Sequence, residues 1–335
     1  MGVVGVVALA LAVLAACSGS SSSAGPTTSA AVAPTPAPTP APSTMLAAPT
    51  TTAAPGPPVQ RAEASLPAAV QETAAAATAD RLYVIGGYDG QQQSVASVYV
   101  FDGSTWSEGP ALPVALNHPA AAAVGNQVYE AGGFGANGAS NRVFVLDAGG
   151  SRWREVAPMH HARGAGVLVA MAGRLLAIGG RSGNTQVAAP ESYDPTTGHW
   201  TDLPPLPHAR NHLSAYVSGS SVCVTGGREP ATSTRTDCLD SATSTWQPGP
   251  TLPEPTSGAA AGVLGTTVVV AGGEPADESS LVTDVQEWRD GAWSTEPMLT
   301  PRHGTGYALF GGRLWMCGGA TAPGVHASNV CTSFG

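Results

Sequence analysis

The sequence contains no lysine, and all fourteen of its basic residues are arginine. Charged residues make up only 11% of the 335, and the formal net charge is −9. A chain so poor in cations argues against a nucleic-acid surface, because such surfaces draw most of their affinity from clustered Lys and Arg set against phosphate. The opening "MGVVGVVALALAVLAAC" is apolar but falls short of the ~20 residues that cross a bilayer core as a helix. No HExxH, CxxC, Gly-rich phosphate loop or nucleophile elbow occurs, so neither a metal nor a cofactor is expected from motif spacing. Aromatic residues are scarce at 6%, yet the 43% hydrophobic content is enough to build a core.

What is present begins with that short apolar run, which reads as a signal peptide over residues 1–16. Its end, Leu14-Ala15-Ala16-Cys17, resembles the lipobox of bacterial lipoproteins, although no Lys or Arg precedes the run. The resemblance implies that Cys17 is acylated and that the chain is exported and held at the cell membrane by lipid alone, facing outside the cytoplasm. Residues 17–57 are rich in Ala, Pro, Thr and Ser, with no charge and no apolar periodicity. Such a segment cannot bury enough surface to offset its ordering entropy and reads as a disordered tether. Extended at ~3.1 Å per residue, it would reach on the order of 100 Å.

The remainder, 58–335, repeats. "RLYVIGG" at Arg81–Gly87 returns as "QVYEAGG", "RLLAIGG", "SVCVTGG", "TVVVAGG" and "RLWMCGG", with first glycines at Gly86, Gly132, Gly179, Gly226, Gly272 and Gly318. The intervals are 46, 47, 47, 46 and 46 residues. Trp106, Trp153, Trp200, Trp246 and Trp293 keep the same beat. Each unit reads as four short strands punctuated by Gly, Pro and Asp, and a period of this size with four strands is that of a propeller blade. The chain stops at Gly335, after the third strand of unit six. Leu66-Pro67 stand 20 residues before Gly86, as Leu206-Pro207 stand before Gly226, so about Val59 to Ser65 should supply the missing strand and close the ring. Closure removes the exposed edges of an open sheet.

The doublet, the Tyr-Asp-like pair (Phe101-Asp102, Leu146-Asp147, Tyr193-Asp194, Leu239-Asp240) and the tryptophan together resemble the Kelch repeat. The resemblance implies an all-β, six-bladed propeller with four antiparallel strands per blade. In that fold the loops leading into the innermost strands and those after the doublets share one face. The leading loops then present three rings: Val70, Leu116, Arg163, Arg210, Thr256 and Arg302; Gln71, Asn117, Gly164, Asn211, Ser257 and His303; Glu72, His118, Ala165, His212, Gly258 and Gly304. The post-doublet loops add Tyr88, Phe134, Arg181, Arg228 and Glu274. The candidate ligand-binding set is therefore Arg163, Arg210, Arg302, Arg181, Arg228, His118, His212, His303 and Glu72, an arginine-rich mouth suited to carboxylates. The competing expectation is that the arginines pair with Glu72, Glu229 and Glu274 and only hold blades together.

Three function classes follow. The first is a monomeric recognition module for an acidic carbohydrate, peptide or protein of the cell envelope. The second is a sugar-active enzyme resembling N-acetylneuraminate epimerase, with Glu72 and His118 as the acid–base pair. The third resembles galactose oxidase, which needs a Tyr–Cys crosslink and two histidines. Of the cysteines, Cys223 and Cys238 fall on adjacent strands of blade four, and Cys317 and Cys331 on the corresponding strands of blade six. Only those two pairings bring Cα atoms within the ~7 Å a disulfide allows.

Overall fold

A computed structural model describes Gly56 and residues 58–335. The expected signal peptide, Cys17, and all of the tether except Gly56 lie outside the described residues. Short runs alternating with Gly-bearing turns fold into six four-stranded antiparallel sheets. Blade three shows the order from axis to rim: Val167–Met171, Arg174–Ile178, Glu191–Asp194 and His199–Asp202. The second strand of each blade is the apolar stretch before the doublet, and the innermost strands are the small-residue runs, which touch their counterparts in both neighbouring blades. Ala and Gly are needed there because six strands converge on one axis.

The ring closes as the spacing requires. Gln60–Glu63 forms the outer strand of blade six, pairing with Cys331–Phe334 in the register Gln60 to Phe334 and Glu63 to Cys331. Four of the five periodic tryptophans bind blades together. The indole N–H of Trp153 donates to Pro110 O at 2.8 Å, that of Trp200 to Ala157 O at 2.9 Å and that of Trp246 to Pro204 O at 2.9 Å. Each acceptor lies just beyond the outer strand of the preceding blade. Trp106 makes the same bond to Ala64 O at 2.9 Å, across the junction of the chain ends.

Cys223 faces Cys238 on paired strands, and Cys317 faces Cys331. Both pairs are disulfide-bonded, with Cα separations of 3.9 and 4.2 Å. Each closes a short loop, so removing either pair by double Cys→Ser substitution should cost roughly 3 kcal/mol of unfolding free energy. Unreduced peptide mapping should recover these two linkages, and a cross-blade pair would overturn the strand assignment.

Candidate functional site

The site grows out of how one blade meets the next. In each doublet both glycines have positive φ. A Cβ on Gly132 would stand 2.4 Å from Arg163 O, and one on Gly272 would stand 2.4 Å from Arg302 O. The second glycine's N–H donates to that same carbonyl: Gly133 to Arg163 O at 2.9 Å, Gly180 to Arg210 O at 3.0 Å and Gly273 to Arg302 O at 2.8 Å. Gly87, Gly227 and Gly319 do likewise to Leu116, Thr256 and Val70. The first ring is thus an inter-blade seam.

The side chains of Arg163, Arg210 and Arg302 follow from that position. They are 3%, 0% and 0% exposed, and they turn into their own blades rather than towards the mouth. Arg163 binds Gly179 O at 3.0 Å and Glu191 at 2.6 Å. Arg210 binds Gly226 O and Asp237, each at 2.6 Å, and Val224 O at 3.1 Å. Arg302 meets no carboxylate among the described residues, binding Met316 O at 2.9 Å and Thr332 Oγ1 at 3.0 Å, and burial lowers its guanidinium pKa to about 10. The expectation that these three line a ligand-binding mouth is corrected here. The side chains of Arg163, Arg210, Thr256 and Arg302 each bond a carbonyl in or just after their own blade's second strand, so arginines at this ring serve the blade interior. Their acidic partners are Glu191 and Asp237, not Glu72, Glu229 or Glu274.

The other candidates do assemble. Second-ring residues bridge to the residues after the doublets: Asn117 to Phe134, Gly164 to Arg181, Asn211 to Arg228 and Ser257 to Glu274. Arg228 spans two blades, its guanidinium contacting Ser257 Oγ at 2.8 Å, Glu278 at 2.9 Å and Glu274. Arg181 lies 4.7 Å above the Phe134 ring and donates to Gly183 O at 2.9 Å. It makes no ion pair among the described residues.

Below them the third ring encircles the axis. Glu72, His118, Ala165 and His212 all hold positive φ, as do Gly258 and Gly304. A belt of backbone bonds runs round it, His118 N to Glu72 O at 2.8 Å, Ala165 to His118 at 3.1 Å, His212 to Ala165 at 2.8 Å, Gly258 to His212 at 2.8 Å and Gly304 to Gly258 at 2.9 Å. Thr73 N to Gly304 O at 3.4 Å completes it. This geometry aims the Glu72, His118 and His212 side chains at one another. His118 Nε2 stands 3.1 Å from Glu72 Oε2, and the two imidazoles are edge to face at 5.0 Å. His303 braces the group, with Nδ1 3.5 Å from Glu72 Oε1 and Nε2 3.1 Å from Gly324 O and 3.3 Å from Glu274 Oε2. The cluster borders an axial cavity of about 340 Å³ lined mainly by Ala, Val and Leu from the inner strands, with Tyr216 and Tyr307.

Burial would raise the Glu72 carboxyl, but His118, His303 and His212 outweigh it and hold it well below the usual carboxylate range. Burial lowers His118 against the pull of Glu72, and lowers His212 further. Asn117 and Asn211, absent from the candidate set, position these histidines: His118 Nδ1 is 2.6 Å from Asn117 Oδ1, and His212 Nδ1 contacts Asn211 Oδ1. The signal was available, because the dipeptide Asn-His recurs two repeat periods apart. The galactose-oxidase-like alternative loses its crosslink, since the four described cysteines are paired with each other.

Burial also pulls His303 down, yet Glu72 and Glu274 prevail and its pKa is raised. A raised folded pKa adds stability below the unfolded value of ~6.5 and loses it as pH climbs through the folded value. Wild type should therefore hold its full advantage over His303→Gln below about pH 6.5 and lose it as pH rises beyond that in urea unfolding. A pH-independent difference would show that His303 is not charged in the fold.

Residues 57–227, just over half the chain, match the model of the KLHDC2/KLHL20/DRC7 Kelch-repeats domain. Ninety residues are 43% identical to Kelch domain-containing protein 7A of Mus musculus, covering 26% of this chain and 11% of that protein. Another match is 29% identical over 103 residues to Kelch-like protein 35 of Mus musculus, covering 30% and 18%. Beta-scruin of Limulus polyphemus is 32% identical over 98 residues, covering 29% and 10%. The matched stretches span less than a fifth of these relatives' lengths. A solved structure, "Structure of YjhT", superposes with a TM-score of 0.70 over 80% of this chain and 95% of that one, at 15% identity, a likeness of fold. With doublets, tryptophans and ring closure all in register, the chain belongs to the KLHDC2/KLHL20/DRC7 family of Kelch-repeat domains.

Proposed function

We propose that this propeller is a monomeric recognition module that binds an acidic carbohydrate, peptide or protein of the cell envelope on the face bearing the post-doublet loops. The observation that carries the reading is Arg181. Its guanidinium rests on the Phe134 ring, and only Gly183 O takes a hydrogen bond from it among the described residues. A guanidinium held over a ring, with donors unspent, is preorganised for a carboxylate. Tyr88 and Phe134, packed around His118, give the same face apolar area beside that charge.

The lipobox resemblance supports the location: lipid on Cys17 would hold the ring outside the cytoplasm at the end of the tether. Cys17→Ala should then move the protein from the membrane to the soluble fraction, and a variant still found in the membrane pellet sinks the anchoring. For the ligand, arrays of acidic glycans and acidic peptides probed with the full chain should show carboxylate-dependent binding. Arg181→Ala should weaken it about tenfold or more while leaving the melting temperature in place. Arg210→Ala should do the reverse, costing about 3–5 kcal/mol of stability because it strands buried Asp237. Binding undiminished by Arg181→Ala would move the functional face elsewhere on the ring.

A second reading, the sugar-active enzyme, has one observation in its favour, the Glu72–His118 pair beside the axial cavity. Turnover of an aldose or a sialic acid, lost in Glu72→Gln, would replace the binding reading; no turnover on a panel of such sugars leaves the pair without substrate.

A further inference from the structure

We infer that Glu72, His118 and His212 form a binding site for a divalent transition-metal ion on the propeller axis, with an open coordination position facing the axial cavity. This goes beyond the recognition reading and does not rest on it.

The inference begins with which atoms hold protons. Asn117 Nδ2 donates to Phe134 O at 3.1 Å and to Ser94 Oγ at 2.8 Å, which fixes its Oδ1 as an acceptor. His118 Nδ1, 2.6 Å from that oxygen, must therefore carry a hydrogen. Asn211 Nδ2 donates to Gln186 Oε1 at 2.8 Å, which sets its Oδ1 against His212 Nδ1 in the same way. In both rings the neutral tautomer then leaves Nε2 as a bare lone pair. His118 Nε2 points this lone pair at Glu72 Oε2, 3.1 Å away, and acceptor faces acceptor. A cation between them resolves the conflict. A single proton satisfies the His118–Glu72 contact alone and leaves His212 Nε2 without a role. A metal ion takes all three ligands at once.

The remaining geometry agrees. One ligand atom from each of the three residues lies within 4.8 Å of the others. Tetrahedral N and O ligands at ~2.0–2.1 Å from zinc stand about 3.4 Å apart, so small side-chain shifts complete the site. Both imidazoles already have the outer-sphere acceptor that metal-bound histidines use to fix ring orientation and tautomer. The second carboxylate oxygen, Oε1, is held by His303 at 3.5 Å, leaving Oε2 for the ion. The ligand residues all line the axial cavity, where a water or a ligand's oxygen completes the shell. Two imidazoles and a carboxylate suit Zn²⁺, Co²⁺, Ni²⁺ or Fe²⁺ and disfavour Mg²⁺ or Ca²⁺, which prefer all-oxygen shells. Motif reading missed the site because its ligands sit in blades one, two and four, one residue per repeat.

The test uses untagged full-length protein, stripped by chelator and titrated with Zn²⁺ and, separately, Co²⁺. One ion per chain should bind, and Co²⁺ should give visible absorption of a low-coordinate N/O site. His212→Asn keeps a residue that accepts positive φ. It and Glu72→Gln should each weaken Zn²⁺ binding by about 100-fold or more. His199→Ala, on the outer rim, should leave it unchanged. Absence of one-to-one binding, or binding indifferent to His212→Asn and Glu72→Gln, overturns the site. Should either variant fail to fold, X-ray absorption on the zinc-loaded wild type decides, and a shell with fewer than two imidazoles refutes the assignment.

Discussion

The hydrogen bond from the second glycine of each doublet to the first-ring carbonyl of the next blade is the constraint on which the rest depends. It repeats six times, requires only backbone, and is possible only where no Cβ intervenes. An Ala at Gly132 would place its methyl against Arg163 O and force an unfavourable φ as well. Because the seam is made by main chain, the first-ring side chain is free to reach back into its own blade. Arginine, threonine and apolar residues all satisfy that position.

The seam also fixes the third ring two residues further on, in left-handed backbone. Glu72, His118, Ala165 and His212 adopt a conformation that glycine would take without penalty, and the belt of inter-blade bonds holds them there. Strain of this kind, of order 1 kcal/mol or more per residue, persists where surrounding structure over-determines it and collects at functional positions. The six-fold scaffold is used asymmetrically. Blades five and six contribute Gly258 and Gly304, and Glu72 occupies the space a side chain at position 304 would need, its Oε1 2.3 Å from where that Cβ would be. Bare positions on one side of the axis make room for the carboxylate and imidazoles on the other.

Periodicity made most of this legible from sequence. The doublets, the tryptophans and the borrowed outer strand of blade six recur or complete a recurrence, and the disulfides follow once strands are paired. The arginines misled because ring position specifies where a Cα lies, not which way a long side chain runs. The deciding partners, Glu191 and Asp237, lie 28 and 27 residues downstream in the third strand of the same blade, a regularity visible only once strand order is fixed. Conversely, the convergence of Glu72, His118 and His212 needed the sign of φ at three positions, which no composition or spacing reveals for residues other than glycine.

Two populations of arginine therefore coexist on an acidic chain. Those before the innermost strand are buried and donate to backbone carbonyls, with a carboxylate added in blades three and four. Those directly after a doublet stand at the surface of the mouth, and Arg228 and Arg181 diverge according to the next blade's loop. Arg228 meets Glu274 and Glu278 and becomes a tie between blades four and five. The equivalent position in the blade after Arg181 holds Arg228 rather than an acid; Arg181 makes no ion pair among the described residues and lies instead over Phe134 from the blade before. One substitution in the repeat, acid or base at the post-doublet position, thus separates a cation that ties two blades from one held on an aromatic ring.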